Sequence, residues 1–239
     1  MAAMQLPIEW LPAAGAPEQL IVLMHGAGAA GVTMAPLAQA LRNEFPQAAV
    51  LVPDAPQPFD GGGAGRRQWF SLAGIGEANR VDRVAAVLPA LQHWLRQTQD
   101  RLRVPPAATA LAGFSQGAIL ALETAIHDDG LAGRVLAFSG RFARLPDGAP
   151  RHTTIHLFHG AGDPVIAAVH SRSALEALAA LQGDATLDIA DGIGHEVHPA
   201  LIARALFRLR NHIPARTWAA ALGAAPPLKR TSDLGDEDH

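Results

Sequence analysis

The chain lacks cysteine and tyrosine altogether, and among its 239 residues the single lysine is Lys229. Without cysteine there is no disulfide, no thiolate nucleophile and no cysteine-ligated zinc. Any covalent catalysis therefore falls to Ser, Thr, Asp, Glu, Lys or His. An excess of positive charge is missing too. With 19 Lys and Arg against 22 Asp and Glu, the net charge is −3 and the pI near 6.4, which removes the electrostatic footprint of a nucleic-acid binder. Nor is there a long apolar run, since no stretch approaches the ~20 residues of a membrane span. Met1–Trp10 has neither the cationic nor the apolar segment of a signal peptide. The expectation is a soluble cytoplasmic protein. The many Ala and Arg residues reflect genome base composition more than function.

At 49% hydrophobic and 17% charged, the chain can bury a sizeable core. Short apolar runs at Leu20–Met24, Ala48–Pro53, Ala108–Ala112, Arg134–Phe138, Ile155–Phe158 and Thr186–Ile189 read as strands of a parallel sheet covered on both faces. Between them, Thr33–Phe45, Arg80–Thr98, Gln116–His127, Ala167–Leu181 and Pro199–Asn211 have helical length and period. The alternation predicts a mostly parallel, doubly wound α/β sheet in one domain over residues 1–222. Residues 223–239, rich in Pro, Asp and Glu, read as a flexible acidic tail.

Two glycine motifs compete. Gly26-Ala27-Gly28-Ala29-Ala30-Gly31 fits G-x-G-x-x-G after the first strand, and Asp54 stands where a dinucleotide fold places its ribose-binding acid. That is the second reading, a nicotinamide-binding oxidoreductase. The hexapeptide is weak in a chain so rich in Ala and Gly. The other motif, Gly113-Phe114-Ser115-Gln116-Gly117, lies between a strand and the helix through Ile119, Leu120 and Ile126, the setting required of a G-x-S-x-G nucleophile elbow. A serine held in a tight, strained turn needs small neighbours, and the glycines two before and two after supply them.

An elbow serine demands an acid and then a histidine, each after a later strand. Asp163 follows the strand Ile155–Phe158 in His159-Gly160-Ala161-Gly162-Asp163-Pro164, and His195 follows Thr186–Ile189 in Asp191-Gly192-Ile193-Gly194-His195. The catalytic residues expected are Ser115, Asp163 and His195. Asp191 lies too close to His195 to be more than a local partner, while Asp184 and Asp188 read as solvated or turn residues. His198, beside Pro199 at a helix start, suits a cap. His195-Glu196-Val197-His198 lacks the i, i+4 spacing of a zincin helix, so no metal and no cofactor are expected. The oxyanion hole takes the backbone N–H of Gln116 and, from the loop His25-Gly26-Ala27-Gly28, that of Ala27. His25 and His159 are expected at the rim of the site and His156 in the packing.

These residues give the chain a family resemblance. His25-Gly26, Arg67-Gln68-Trp69-Phe70-Ser71, Gly113-Phe114-Ser115-Gln116-Gly117-Ala118, His159-Gly160 with Asp163-Pro164-Val165, and Gly194-His195 together resemble the phospholipase/carboxylesterase group of α/β-hydrolases. That group includes the acyl-protein thioesterases, and the resemblance is closest to its small bacterial esterases. It implies an α/β-hydrolase fold and a serine carboxylesterase acting on acyl esters or thioesters. One departure is local. Where relatives carry Leu-Gly-Asp after His-Gly, this chain has Ala27-Gly28-Ala29, a smaller and less acidic rim.

The stretch between Ser139-Gly140 and Ile155 is too short for a cap domain. The long loop Asp54–Asn79 then becomes the wall of the site, with Trp69, Phe70 and His25 as substrate-binding residues around an apolar acyl pocket. Ordinary core packing is the competing role for Trp69 and Phe70. Arg66 and Arg67 either meet an anionic substrate or are simply solvated. A third reading is a hydrolase-fold binding protein, a class that usually lacks a triad member. Monomer and homodimer stay open.

Overall fold

The computed structural model describes residues 5, 6 and 8–223. Seven strands form the main sheet: β1 (Ile8–Trp10), β2 (Gln19–Met24), β3 (Ala48–Val52), β6 (Thr109–Phe114), β7 (Arg134–Phe138), β8 (Thr154–Gly160) and β9 (Ala185–Ala190). Their spatial order is β1-β3-β2-β6-β7-β8-β9, with β1 antiparallel to β3 and every other pair parallel. The two remaining strands, β4 (Gln57–Pro58) and β5 (Arg67–Gln68), make a small antiparallel ribbon within the long loop.

The apolar runs are continuous because both sheet faces are covered. Successive side chains of a strand point to opposite faces. Leu20, Val22 and Met24 accordingly join one core, while Ile21 and Leu23 join the other. The first core is closed by α2 (Glu77–Ala85), α3 (Leu88–Leu102), α4 (Gln116–His127) and α5 (Val169–Ala180). The second is closed by α1 (Ala35–Glu44) and α6 (Pro199–Asn211), through Leu37, Leu41, Leu201 and Ile202. Burial of each such Leu or Ile contributes about 1.5–3 kcal/mol.

The helix expected over Arg80–Thr98 is two helices, α2 and α3. Pro89 explains the break. Its missing N–H and its ring are compatible only with the first turn of a helix, so a new helix starts at Leu88. The apolar stripe nevertheless runs through both, with Val84, Leu88, Leu91 and Leu95 buried. The edge strand β1, the β4–β5 ribbon and a short α7 (Ala215–Gly223) are additions to the sequence reading. Of the acidic stretch, Gly223 closes α7, and residues 224–239 lie outside those described. Between β7 and β8 there is no helix or strand, so no cap covers the carboxyl end of the sheet. No helix among the described residues is long and apolar enough to cross a membrane.

Candidate active site

Ser115 terminates β6 and precedes α4 with φ 52° and ψ −113°, a left-handed backbone that a non-glycine residue seldom adopts. The flanking glycines make that turn possible. A Cβ on Gly117 would lie 2.1 Å from the Met24 carbonyl oxygen, and one on Gly113 would lie 2.3 Å from the Gly117 carbonyl. Any side chain at either position would drive α4 off β2 and β6.

The Ser115 Oγ stands 3.0 Å from His195 Nε2, and His195 Nδ1 stands 2.7 Å from Asp163 Oδ2. The acceptor-only carboxylate fixes the tautomer, so Nδ1–H donates to Asp163 and Nε2 is left to accept from the serine hydroxyl. Asp163 is buried, and its other oxygen accepts 2.9 Å hydrogen bonds from the Val165 and Ile166 N–H groups. Burial is the largest single influence and opposes its ionisation. The bonds from His195, Ile166 and Val165 together outweigh it and hold the carboxyl below its usual range.

His159 lies behind the acid, not at the rim, and is fully buried. Its Nε2–H donates to the Ile166 carbonyl at 2.7 Å, and its Nδ1 accepts from Ser171 Oγ at 2.7 Å. Burial lowers its pKa, which keeps this ring neutral. It therefore braces the turn that presents Asp163 without competing for the charge.

Among the described residues the N–H of Ala27 and that of Gln116, which opens α4, have no hydrogen-bond partner. The loop carrying Ala27 is held by the Gly28 N–H donating to the Arg67 carbonyl at 2.7 Å, with Gly28 at φ +73°. The Gln116 side chain fixes the opposite wall. Its Oε1 accepts from the Trp69 N–H and its Nε2 donates to the Phe70 carbonyl, both at 2.7 Å.

The three side chains expected around an acyl pocket are buried instead. Trp69 and His25 are 0% exposed and Phe70 is 2% exposed. His25 Nδ1–H donates to the Gly26 carbonyl, its Nε2 accepts from the Ala55 N–H, and Trp69 Nε1–H donates to the His25 carbonyl. They lock the Ala27 loop onto the long loop. Aromatic mass and a polar handle suited them to that interior post. Arg67 is spent similarly, on the carbonyls of Ala55 and Pro56, whereas the exposed Arg66 stacks on Phe59 and donates to Gly28.

The rival acids and histidines go elsewhere. Asp188 pairs with Arg208, Asp184 sits at the opposite end of the sheet, and Asp191 is exposed. His198 caps α6 by accepting from the Ala200 N–H, so the His-Glu-x-His run is divided between two tasks. Asp54 accepts from the Gly31 N–H at 2.6 Å, and Gly31 opens a short 3-10 turn rather than the helix α1. The glycine hexapeptide therefore does not form a helix-opening phosphate loop, and its supposed ribose acid is already engaged.

A cleft of about 270 Å³ opens beside His195, walled by Ala29, Met34, Phe114 and Val197 among others. Composition and spacing did not point to these residues, because each joins the wall only through the packing of the 3-10 turn, the elbow and the histidine loop. A depression of about 320 Å³ around Glu18, Ala108 and Arg134 is larger but contains none of Ser115, Asp163 or His195. Volume alone does not locate the site.

Comparison with known proteins identifies the family. The profile of the phospholipase/carboxylesterase family matches residues 11–213. The chain is 43% identical over 221 residues to the esterase YpfH of Escherichia coli K12, covering 92% of this chain and 91% of that one. It is 25% identical to acyl-protein thioesterase 1 of Gibberella zeae, over 86% of this chain and 95% of that protein. Among solved structures it superposes on esterase PE8 with a TM-score of 0.78 at 30% identity, covering 88% of this chain and 99% of the other.

Proposed function

The chain belongs to the phospholipase/carboxylesterase family of α/β-hydrolases, and from that premise we propose that it hydrolyses small carboxylic esters or thioesters through Ser115, His195 and Asp163. One observation carries the reading: the hydrogen-bonded run from Ser115 Oγ through His195 to Asp163, ending on a serine with left-handed backbone.

In this mechanism His195 Nε2 takes the hydroxyl proton as Ser115 Oγ adds to the acyl carbonyl carbon. Asp163 holds the imidazole tautomer and stabilises the imidazolium. The carbonyl oxygen becomes an oxyanion and is received by the N–H groups of Ala27 and Gln116, each such donor typically worth about 3 kcal/mol in the transition state. His195 returns the proton to the departing alcohol or thiol as the tetrahedral adduct collapses. Water, deprotonated by the same imidazole, then adds to the acyl-serine, and as this second adduct collapses His195 returns the proton to Ser115 Oγ and the carboxylic acid is released.

A series of p-nitrophenyl esters of increasing acyl length, assayed with wild type and Ser115→Ala, tests the reading. The wild type should turn over the shorter esters, and Ser115→Ala should lose about 10⁶-fold in kcat. A fluorophosphonate should label Ser115 in the wild type. Folded wild type that neither hydrolyses any ester or thioester nor takes the label would overturn the proposal.

A further inference from the structure

The cleft beside His195 takes none of its lining residues from the long loop that was expected to bind substrate, which reaches it only through the pairing of Arg67 with Ala29. Its walls come from the turn before α1 and its first residues (Ala29, Thr33, Met34, Pro36, Leu37), from Phe114 of the elbow and from His195-Glu196-Val197. The Phe114 ring packs against the His195 imidazole with centroids 4.8 Å apart, so one aromatic side chain both walls the cleft and touches the base. Glu196 is the sole acidic residue in this wall, and no Arg or Lys contributes to it.

Chemistry decides which part of a substrate can enter. Of the groups on the tetrahedral carbon, the oxyanion turns to the backbone donors, and the departing oxygen or sulfur must reach His195 Nε2 to be protonated. A cleft walled by His195 therefore follows the departing atom. We propose that this cleft is the leaving-group subsite and that it selects a small, uncharged, apolar alcohol or thiol over an anionic one. The inference rests on the esterase reading above. Its volume of about 270 Å³ lies just below the roughly 300–1,000 Å³ of ligand pockets, which suits a leaving group of phenol size with a short alkyl extension. Its apolar walls reward each added methylene, and Glu196 repels negative charge at the mouth.

The test uses acetates of phenol, 4-ethylphenol and 4-propylphenol, which share nearly the same leaving-group reactivity. The wild-type kcat/KM should rise by up to about fourfold per buried methylene. In Ala29→Phe, which narrows the cleft from its rim, the ratio of 4-propylphenyl to phenyl acetate should fall. The acetate of 4-hydroxyphenylacetate, similar in shape to the ethyl compound but anionic, should react more slowly, and Glu196→Gln should narrow that gap. A flat leaving-group series in an enzyme that hydrolyses all these esters would overturn the subsite and leave the esterase reading intact. So would an Ala29→Phe effect that follows acyl length at constant phenol instead. Absence of turnover on every ester would instead remove the esterase reading, and the subsite with it.

Discussion

The two ends of the sheet carry nearly the same residues and do different things with them. At the carboxyl end Asp163 accepts from His195 at 2.7 Å, and at the amino end Asp184 accepts from His212 at 2.9 Å. Each aspartate takes two further hydrogen bonds: Asp163 from the Val165 and Ile166 N–H groups, Asp184 from Thr154 Oγ1 and the Ala215 N–H. Both carboxyls are held below their ordinary range by donors that outweigh burial. A carboxylate–imidazole pair is thus no mark of catalysis by itself. The difference lies in the third member. His195 meets a serine in left-handed backbone near N–H donors without a partner among the described residues, whereas the Asp184 pair ties α7 and the end of α6 to the sheet.

Among variants of the two carboxylates, the largest expected effect sharpens that contrast. Asp163→Asn should reduce kcat by about 10⁴-fold on any hydrolysed ester, because the amide favours the wrong imidazole tautomer. Asp184→Asn should leave kcat unchanged and cost about 1–3 kcal/mol of stability, the scale for disturbing a partly buried network. Ester kinetics beside urea denaturation would measure both. Comparable losses of kcat in the two variants would break the comparison.

Next in size is Gln116→Ala. The backbone N–H of residue 116 is retained, so a donor to an oxyanion survives. The substitution strips the Trp69 N–H and the Phe70 carbonyl of their side-chain partner inside the core. A stability loss of about 1–3 kcal/mol is expected for the stranded buried donor. kcat should fall far less than in Asp163→Asn. A loss of activity as large as that variant's would show that the wall, not the triad, limits turnover.

How much of this was legible follows from which contacts are local. The elbow was readable because strand, turn and helix are contiguous and both glycines answer to backbone crowding within that segment. Asp163 and His195 were readable because parallel strands deliver their following loops to one edge. His25, Trp69 and Phe70 were misread for the opposite reason. Their burial is decided by the Gln116 side chain and by Ala55, tens of residues away or across the fold, and residue type alone does not distinguish a pocket wall from a brace. The strands β1, β4 and β5 escaped notice because edge and ribbon pairings of two or three residues leave no periodicity to read. The break before Pro89 was hidden by an apolar stripe that continues across it.

The amino end also makes a pH prediction. His156, fully buried, accepts from Arg134 on Nε2 and faces Thr186 Oγ1 from Nδ1. Burial, then the Arg134 charge, pushes its pKa from 6.5 down to about 3. Between those values the unfolded chain binds a proton that the folded chain refuses. Its contribution is therefore complete above pH 6.5 and declines as pH falls toward 3. Denaturation midpoints across that window should fall less steeply in His156→Gln than in wild type. An unchanged slope would show that the amino-end cluster is not proton-linked.

The smallest effect is expected in the wall on the catalytic side, and it bears on how the two ends are built. Asp60 accepts from Ser71 Oγ, Gln68 Nε2 and the Leu72 and Ala73 N–H groups, folding the long loop around one carboxylate. The Ser71 bond, then the Gln68 bond, lower its pKa from 3.8 to about 2. A depressed carboxylate supports the loop fully above pH 3.8 and loses that support as pH falls toward 2. Because Asp60 is exposed, water replaces much of what these bonds provide. Asp60→Asn at neutral pH should therefore shift the melting temperature by no more than about 1 °C. It should still speed amide exchange at Leu72 and Ala73, where the two donors lose their ionised acceptor. The amino end is tied by partly and fully buried groups and yields only with the fold, whereas this wall is tied at the surface and yields by itself. A melting shift as large as that of Asp184→Asn would erase that distinction and make the loop part of the same cooperative unit.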